Sequence, residues 1–155
     1  MAISRYAAAT DAIVALALAD ATLTAAAVQV VDGPPVQQQY GTTVLYIGWT
    51  GEDDNATAGS IESEYHDLGP TAKRDERVEV YCTAISVRGD DDMSTARSAA
   101  VAVYGALETA IRANVSLGLA DVLRFEVSDA TVRQVRDGMG IGVEVGFTIT
   151  CISLI

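Results

Sequence analysis

Lysine and histidine are nearly missing from this 155-residue chain: Lys73 and His66 are the only ones. Nine arginines are scattered, and the longest basic run is the pair Lys73-Arg74. Against 21 acidic residues they leave a net charge of −11. A surface that grips nucleic acid needs clustered Lys and Arg to neutralise phosphates and release counterions. The composition argues against such a surface. Acidity can still serve DNA by repelling it, or serve only solubility. There are two cysteines, too few for a disulfide framework. Cys82 and Cys151 read as small buried apolar residues, with a bridge between neighbouring strands as the second reading. No stretch approaches the roughly 18 unbroken apolar residues of a membrane span. Aromatics make up 6%. The apolar half of the chain is therefore mostly small side chains, which favour close packing of helix on sheet.

What is present fits one domain over residues 1–155, long enough to bury roughly 70% of its unfolded surface. The first 27 residues imitate a secretory signal peptide, with Arg5, an apolar stretch and small residues near Ala25. Asp11 and Asp20 bracket that stretch too closely. The spacing of Ile13, Leu16, Ala17, Asp20 and Leu23 predicts a helix from Tyr6 to Thr22 instead. A short β-rich run, Val28 to Val31, ends at Asp32-Gly33-Pro34-Pro35. Thr42 to Thr50 reads as a strand, Gly51 to Ser60 as an acidic solvated loop, and Ile61 to Gly69 as a charged edge strand. Val78, Val80, Cys82 and Ala84 alternate with Tyr81, Ile85 and Val87, so residues 77–88 form a central strand apolar on both faces. Asp90 to Asp92 open a helix that should run to Asn114. Ala96, Ala100, Val103, Leu107, Ala110 and Asn114 follow helical spacing along one stripe, flanked by Ala99 and Ile111. Leu123 to Val127 is a strand, and Thr131 to Val135 is another or its continuation. Asp137-Gly138 turns, and a long strand runs to Ile155. Helices separated by runs of strands give an α+β fold: a mostly antiparallel sheet flanked by two α-helices.

No arrangement of residues carries chemistry. His66 lies beside Glu64 and Asp67, but strand alternation puts His66 and Asp67 on opposite faces, and no G-x-S-x-G elbow supplies a nucleophile. Starting from Asp90, the calcium-loop pattern fails at its sixth position, where Thr95 stands for glycine. The run 138–142, GMGIG, precedes a strand rather than a helix, so it is a hairpin turn and not a phosphate loop. No catalytic, cofactor-binding or metal-binding residue is assigned. Trp49 borders a turn and fits an interface anchor or a cap on the core equally.

The order of elements, the VDGPP run at 31–35 and the stretch R-V-E-V-Y-C…G-D-D-D…A-R between Arg77 and Arg97 resemble the tail terminator proteins of long-tailed (siphovirus-type) phages, especially those infecting actinobacteria. The resemblance covers most of the chain. It implies a helix-flanked antiparallel sheet and a homo-hexameric ring on the head-proximal end of the tail tube. It further implies contact with the major tail tube protein and with the head-tail connector or stopper. DNA would pass through the lumen unread. The protein would sit in the virion neck after assembly in the host cytoplasm, with no cofactor and no membrane. A ring of six would carry about 66 negative charges. Glu52, Asp53 and Asp54 in the acidic loop, with Trp49 and Asp90, are the candidate lumen or partner contacts. Another neck protein (adaptor or stopper) or a tube-forming protein is the alternative of the same kind. A small enzyme would need a nucleophile and base that the sequence does not show.

Overall fold

The computed structural model describes residues 4–35, 42–51, 57–66 and 73–155. The elements run α1 (Tyr6–Ala19), α2 (Ala21–Ala25), β1 (Gln29–Asp32), β2 (Thr43–Ile47), β3 (Gly59–Tyr65), β4 (Arg74–Arg88), α3 (Met93–Ala113), β5 (Val122–Asp137) and β6 (Gly140–Leu154). The six strands form one sheet in the order β1-β2-β4-β6-β5, with β3 also on β4. The expected α+β fold with a mostly antiparallel sheet is observed; β1 on β2 is its one parallel pairing among the described residues.

β4 is central, as its two apolar faces predict. One edge pairs with β6 along nearly its whole length, and the other is shared by β3 and then β2. Val78, Val80, Cys82 and Ala84 are all buried under the helices. α1 sets Ala9, Ile13 and Ala17 on the sheet, four residues apart and so on one side of the helix. α3 sets down Ala96, Ala100, Val103, Leu107 and Ile111. The stripe therefore ends on Ile111, while Asn114 is exposed. Small residues at both contacts let the helices approach closely, and Tyr104 fills the gap by meeting Phe147 edge-on at 5.3 Å.

Several boundaries differ from the sequence expectation; β2 ends at Ile47 rather than Thr50, and β4 begins at Arg74 rather than Arg77. The first helix does not continue to Thr22. Asp20 is extended (φ −70°, ψ 120°), and its carboxylate accepts the Leu23 N–H at 2.9 Å, so it caps a separate short α2 and makes a third helix. β3 begins at Gly59, inside the segment expected to be loop. A side chain there would collide with the Glu79 carbonyl and the Tyr6 ring, so the turn-like Gly59-Ser60 opens a strand that needs its glycine. The two expected strands at 123–127 and 131–135 are one strand with a bulge. Ser128 pairs with Thr148 and Thr131 with Gly146, so Asp129 and Ala130 together oppose one residue, and Asp129 takes φ 56°. The expected edge strand to Gly69 ends at Tyr65, and residues 67–69 lie outside the described residues.

The registers place one rung straight across the sheet on the helix-bearing face: Val30, Leu45, Ala84, Val145, Val132. Cys82 and Cys151 are buried free thiols rather than a bridge. Burial pushes them up to about 12 and about 11.

Candidate interaction surface

Among the described residues, the sheet's second face carries no helix. Register puts Tyr46, Thr83, Gly146 and Thr131 on one of its rungs, and Val44, Ile85, Glu144 and Arg133 on the next. A small second core forms there from Val44, Tyr46 and Trp49, with Val31 and Ile85 against it. Further along, the same face bears Glu62 on β3, Arg77 on β4 and Arg124 on β5, then Glu64 and Asp75.

Its arginines hold carboxylates rather than standing ready for phosphates. Arg77 contacts Glu79 at 3.1 Å, Arg124 contacts Glu126 at 3.1 Å, and Arg133 contacts Glu144 at 2.5 Å. Glu62 and Glu64 add negative charge that these pairs do not balance. The face is therefore acidic and structured by its own ion pairs. Such exposed pairs contribute little stability each.

The sequence-derived contacts fall in different places. Glu52, Asp53 and Asp54 lie outside the described residues. Gly51 before them sits on the helix-free face: a Cβ there would lie 2.6 Å from Glu144 Oε1 and 3.3 Å from Thr83 Cγ2. Gly51, the described residue just before that segment, thus lies over the middle of that face. Trp49 is 8% exposed. Its ring meets Tyr46 edge-on at 4.7 Å, its backbone N–H donates to the Tyr81 carbonyl at 3.0 Å, and its own carbonyl accepts the Thr83 hydroxyl at 2.9 Å. It covers the second core. Asp90 is far from both, at the β4–α3 connection. His66 is half exposed, and its Nε2 sits 2.7 Å from Asp75, nine residues on in the sequence and brought near by the β3–β4 ladder.

Asp90 receives two hydrogen bonds from Arg88, at 2.9 and 2.7 Å, and the Asp92 N–H at 3.1 Å. The Arg88 bonds, then the backbone N–H, lower its carboxyl to about 2. Asp92 is the helix cap, accepting the Thr95 N–H at 3.0 Å. The acidic triplet therefore clamps a turn and starts α3. Because the Asp90 value is depressed, its contribution to stability is complete above the ordinary 3.8 and is lost as pH falls through about 2. Carboxyl NMR should show Asp90 titrating near 2, and Arg88→Ala should move the midpoint up toward the ordinary carboxylate range. An unchanged midpoint in that variant would remove Arg88 as the cause.

Two features of this surface escaped the sequence reading. One is the second core around Tyr46 and Trp49. The other is the exposed far half of β5, which the alternating run TVRQVR signals weakly as an edge. Among the described residues, no group of three His, Cys, Asp or Glu could hold a metal ion, and no helix is long and apolar enough to cross a membrane. No family model and no curated protein matches the sequence. Among solved structures, the fold is similar to that of a chain in the virion of a native gene transfer agent (GTA) particle, with a TM-score of 0.54 and 15% identity, covering 93% of this chain and 94% of that one.

Proposed function

We propose that the protein is a virion structural protein and, within that class, a tail terminator. Six copies close into a ring on the head-proximal end of a tail tube, stop its growth and join it to the head-tail connector. DNA passes through the ring without being read. The observation that carries this reading is the likeness of fold, over nearly the full length of both chains, to a chain of a virion particle. The acidic helix-free face supports it as well. Facing the lumen, that face repels DNA and lets it slide. Gly51, which precedes Glu52, Asp53 and Asp54 in the sequence, lies over the middle of that face. The acidic segment belongs to the lumen or to an axial partner. The ring assembles in the host cytoplasm and stays in the virion neck.

The reading is tested in cells that produce the virion. Loss of the chain is expected to give overlong tails unattached to heads; normal tails joined to heads would refute it. A tube-forming protein has filaments as its purified product, whereas a terminator gives single closed rings in negative-stain images. The lumen assignment has its own test. Changing Glu52→Gln, Asp53→Asn and Asp54→Asn together should leave circular dichroism unchanged and lower infectious yield. Normal yield from the triple variant would sink that assignment.

A further inference from the structure

β5 on one side of the sheet, and β1 and β3 on the other, have no strand beyond them among the described residues; β1 lies at the level of the far half of β5 and β3 at the level of its near half. The near half of β5 is backed by the α3–β5 connection, where the Phe125 N–H donates to the Val115 carbonyl at 2.6 Å. The arm beyond the bulge, residues 131–137, is exposed throughout. Soluble proteins blunt long edges with proline, lysine or shortness. This arm has neither residue, and it shows Val132 and Val135 at 47% and 59% exposure. Its charged side chains between the bulge and Asp137 are Arg133 and Arg136, which contact Glu144 and Asp91 within their own copy.

The opposite edge has the complementary character. α1, α2 and β1 carry Asp11, Asp20 and Asp32 and no lysine or arginine. α1 is apolar nearly all round, and Leu18 on its outer side is 61% exposed. A helix of that composition is ordinarily buried on more than one side.

We infer that the β5 arm of one copy pairs with the β1 edge of the next, so that the sheet continues head to tail from copy to copy. β5 runs parallel to β4 because both oppose β6, whereas β1 follows β2 and opposes β4. Copies related by rotation about an axis along the strands keep those directions, so the new pair is antiparallel. The helix-face rung ends on Val132 at one edge and Val30 at the other. Matching levels therefore set Val132 opposite the next copy's Val30, and the apolar rung runs on. Pairing like with like is disfavoured. Two β5 arms bring Arg133 and Arg136 of both copies into one short ladder, and two β1 edges bring their Asp32 carboxylates together. The contact is thus heterologous, the kind that repeats into a ring or an open helix. The pairing deepens the ring reading and rests on it only for closure at six.

A Val30→Cys/Val132→Cys double variant treated with a short bis-maleimide tests the pairing. Cys82 and Cys151 are buried with raised thiols, so they stay unreacted in the folded protein. The double variant should give a ladder of covalent multimers, and each single variant should stay monomeric on a denaturing gel. Dimers from Val132→Cys alone, or no ladder at any concentration, overturn the inference. Should the double variant misfold, Arg136→Glu serves instead: with circular dichroism unchanged, it should lower the assembly order by light scattering, and an unchanged order overturns the pairing. Ladders with open filaments keep the pairing and refute the terminator reading. Closed rings without ladders do the reverse.

Discussion

Glu76→Ala is expected to cost about 3–5 kcal/mol of folding stability. Glu76 is 1% exposed, at the start of the central strand. Its carboxylate accepts the Arg5 N–H at 2.6 Å, Ser4 Oγ–H at 3.1 Å and Arg74 Nη2–H at 3.2 Å. Those donors come from the chain ahead of α1 and from β4. Arg74 in turn exchanges backbone hydrogen bonds with Ile155, at 2.8 and 2.9 Å. One carboxylate therefore ties together segments more than seventy residues apart. Alanine would leave a guanidinium and a backbone N–H in a dry site without this acceptor, and it is the loss of one member that makes breaking a buried pair costly. Domains of this kind have only about 5–15 kcal/mol to lose. Urea unfolding followed by circular dichroism should show a large fall in midpoint. Glu76→Gln keeps an acceptor oxygen and should lose less, about 1–3 kcal/mol. A loss below about 1 kcal/mol for alanine would contradict the account.

Sequence alone offered no sign of that cluster. Glu76 stands in the charged run 73–77, whose pattern gives no sign of burial, and only the fold brings Arg5 to it. Elements whose signals are local were legible. β4 declared itself by alternating apolar residues, and α3 by Asp92 ahead of a helical stripe. Asp20 is the same kind of cap as Asp92, yet it sits in a run rich in alanine with no glycine or proline, so the propensity of its neighbours hid the break. The parallel pairing of β1 was illegible because a four-residue strand carries no information about its neighbour's direction. Gly59 read as turn because its need for close approach to Tyr6 is tertiary.

The surface was legible as charge and not as place. Composition gave an acidic protein without a basic patch, and the ion pairs of Arg77, Arg124 and Arg133 explain how the few arginines coexist with that. Trp49 could be core cap or anchor from sequence. Tyr46 lies three residues before it on β2 and Thr83 on β4, so only the assembled sheet assigns it to the second core.

The three glycines of GMGIG look alike in the sequence and should behave differently when replaced. Gly140 opens β6 with φ +139°, and a Cβ there would lie 2.1 Å from the Arg88 carbonyl oxygen and 3.0 Å from Gly89 Cα. Both are backbone atoms, so no side chain can swing aside. Gly140→Ala therefore combines a strained dihedral with an overlap, and roughly 3 kcal/mol of destabilisation is expected. At Gly138 a Cβ would meet nothing within 4 Å, and at Gly142 it would touch Val87 Cγ1 at an ordinary 3.7 Å. Gly138→Ala should stay within about 0.5 kcal/mol, as exposed substitutions do. Thermal melts of the two variants measure the difference, and equal shifts would show that Gly140 is not pinned against Arg88. The same contact bears on assembly. Gly140 pairs with Asp137 and closes the hairpin that sets the level of Val132 and Arg133. If the β5 arm joins neighbouring copies, Gly140→Ala lowers the assembly order at temperatures where the monomer is still folded, while Gly138→Ala leaves it unchanged.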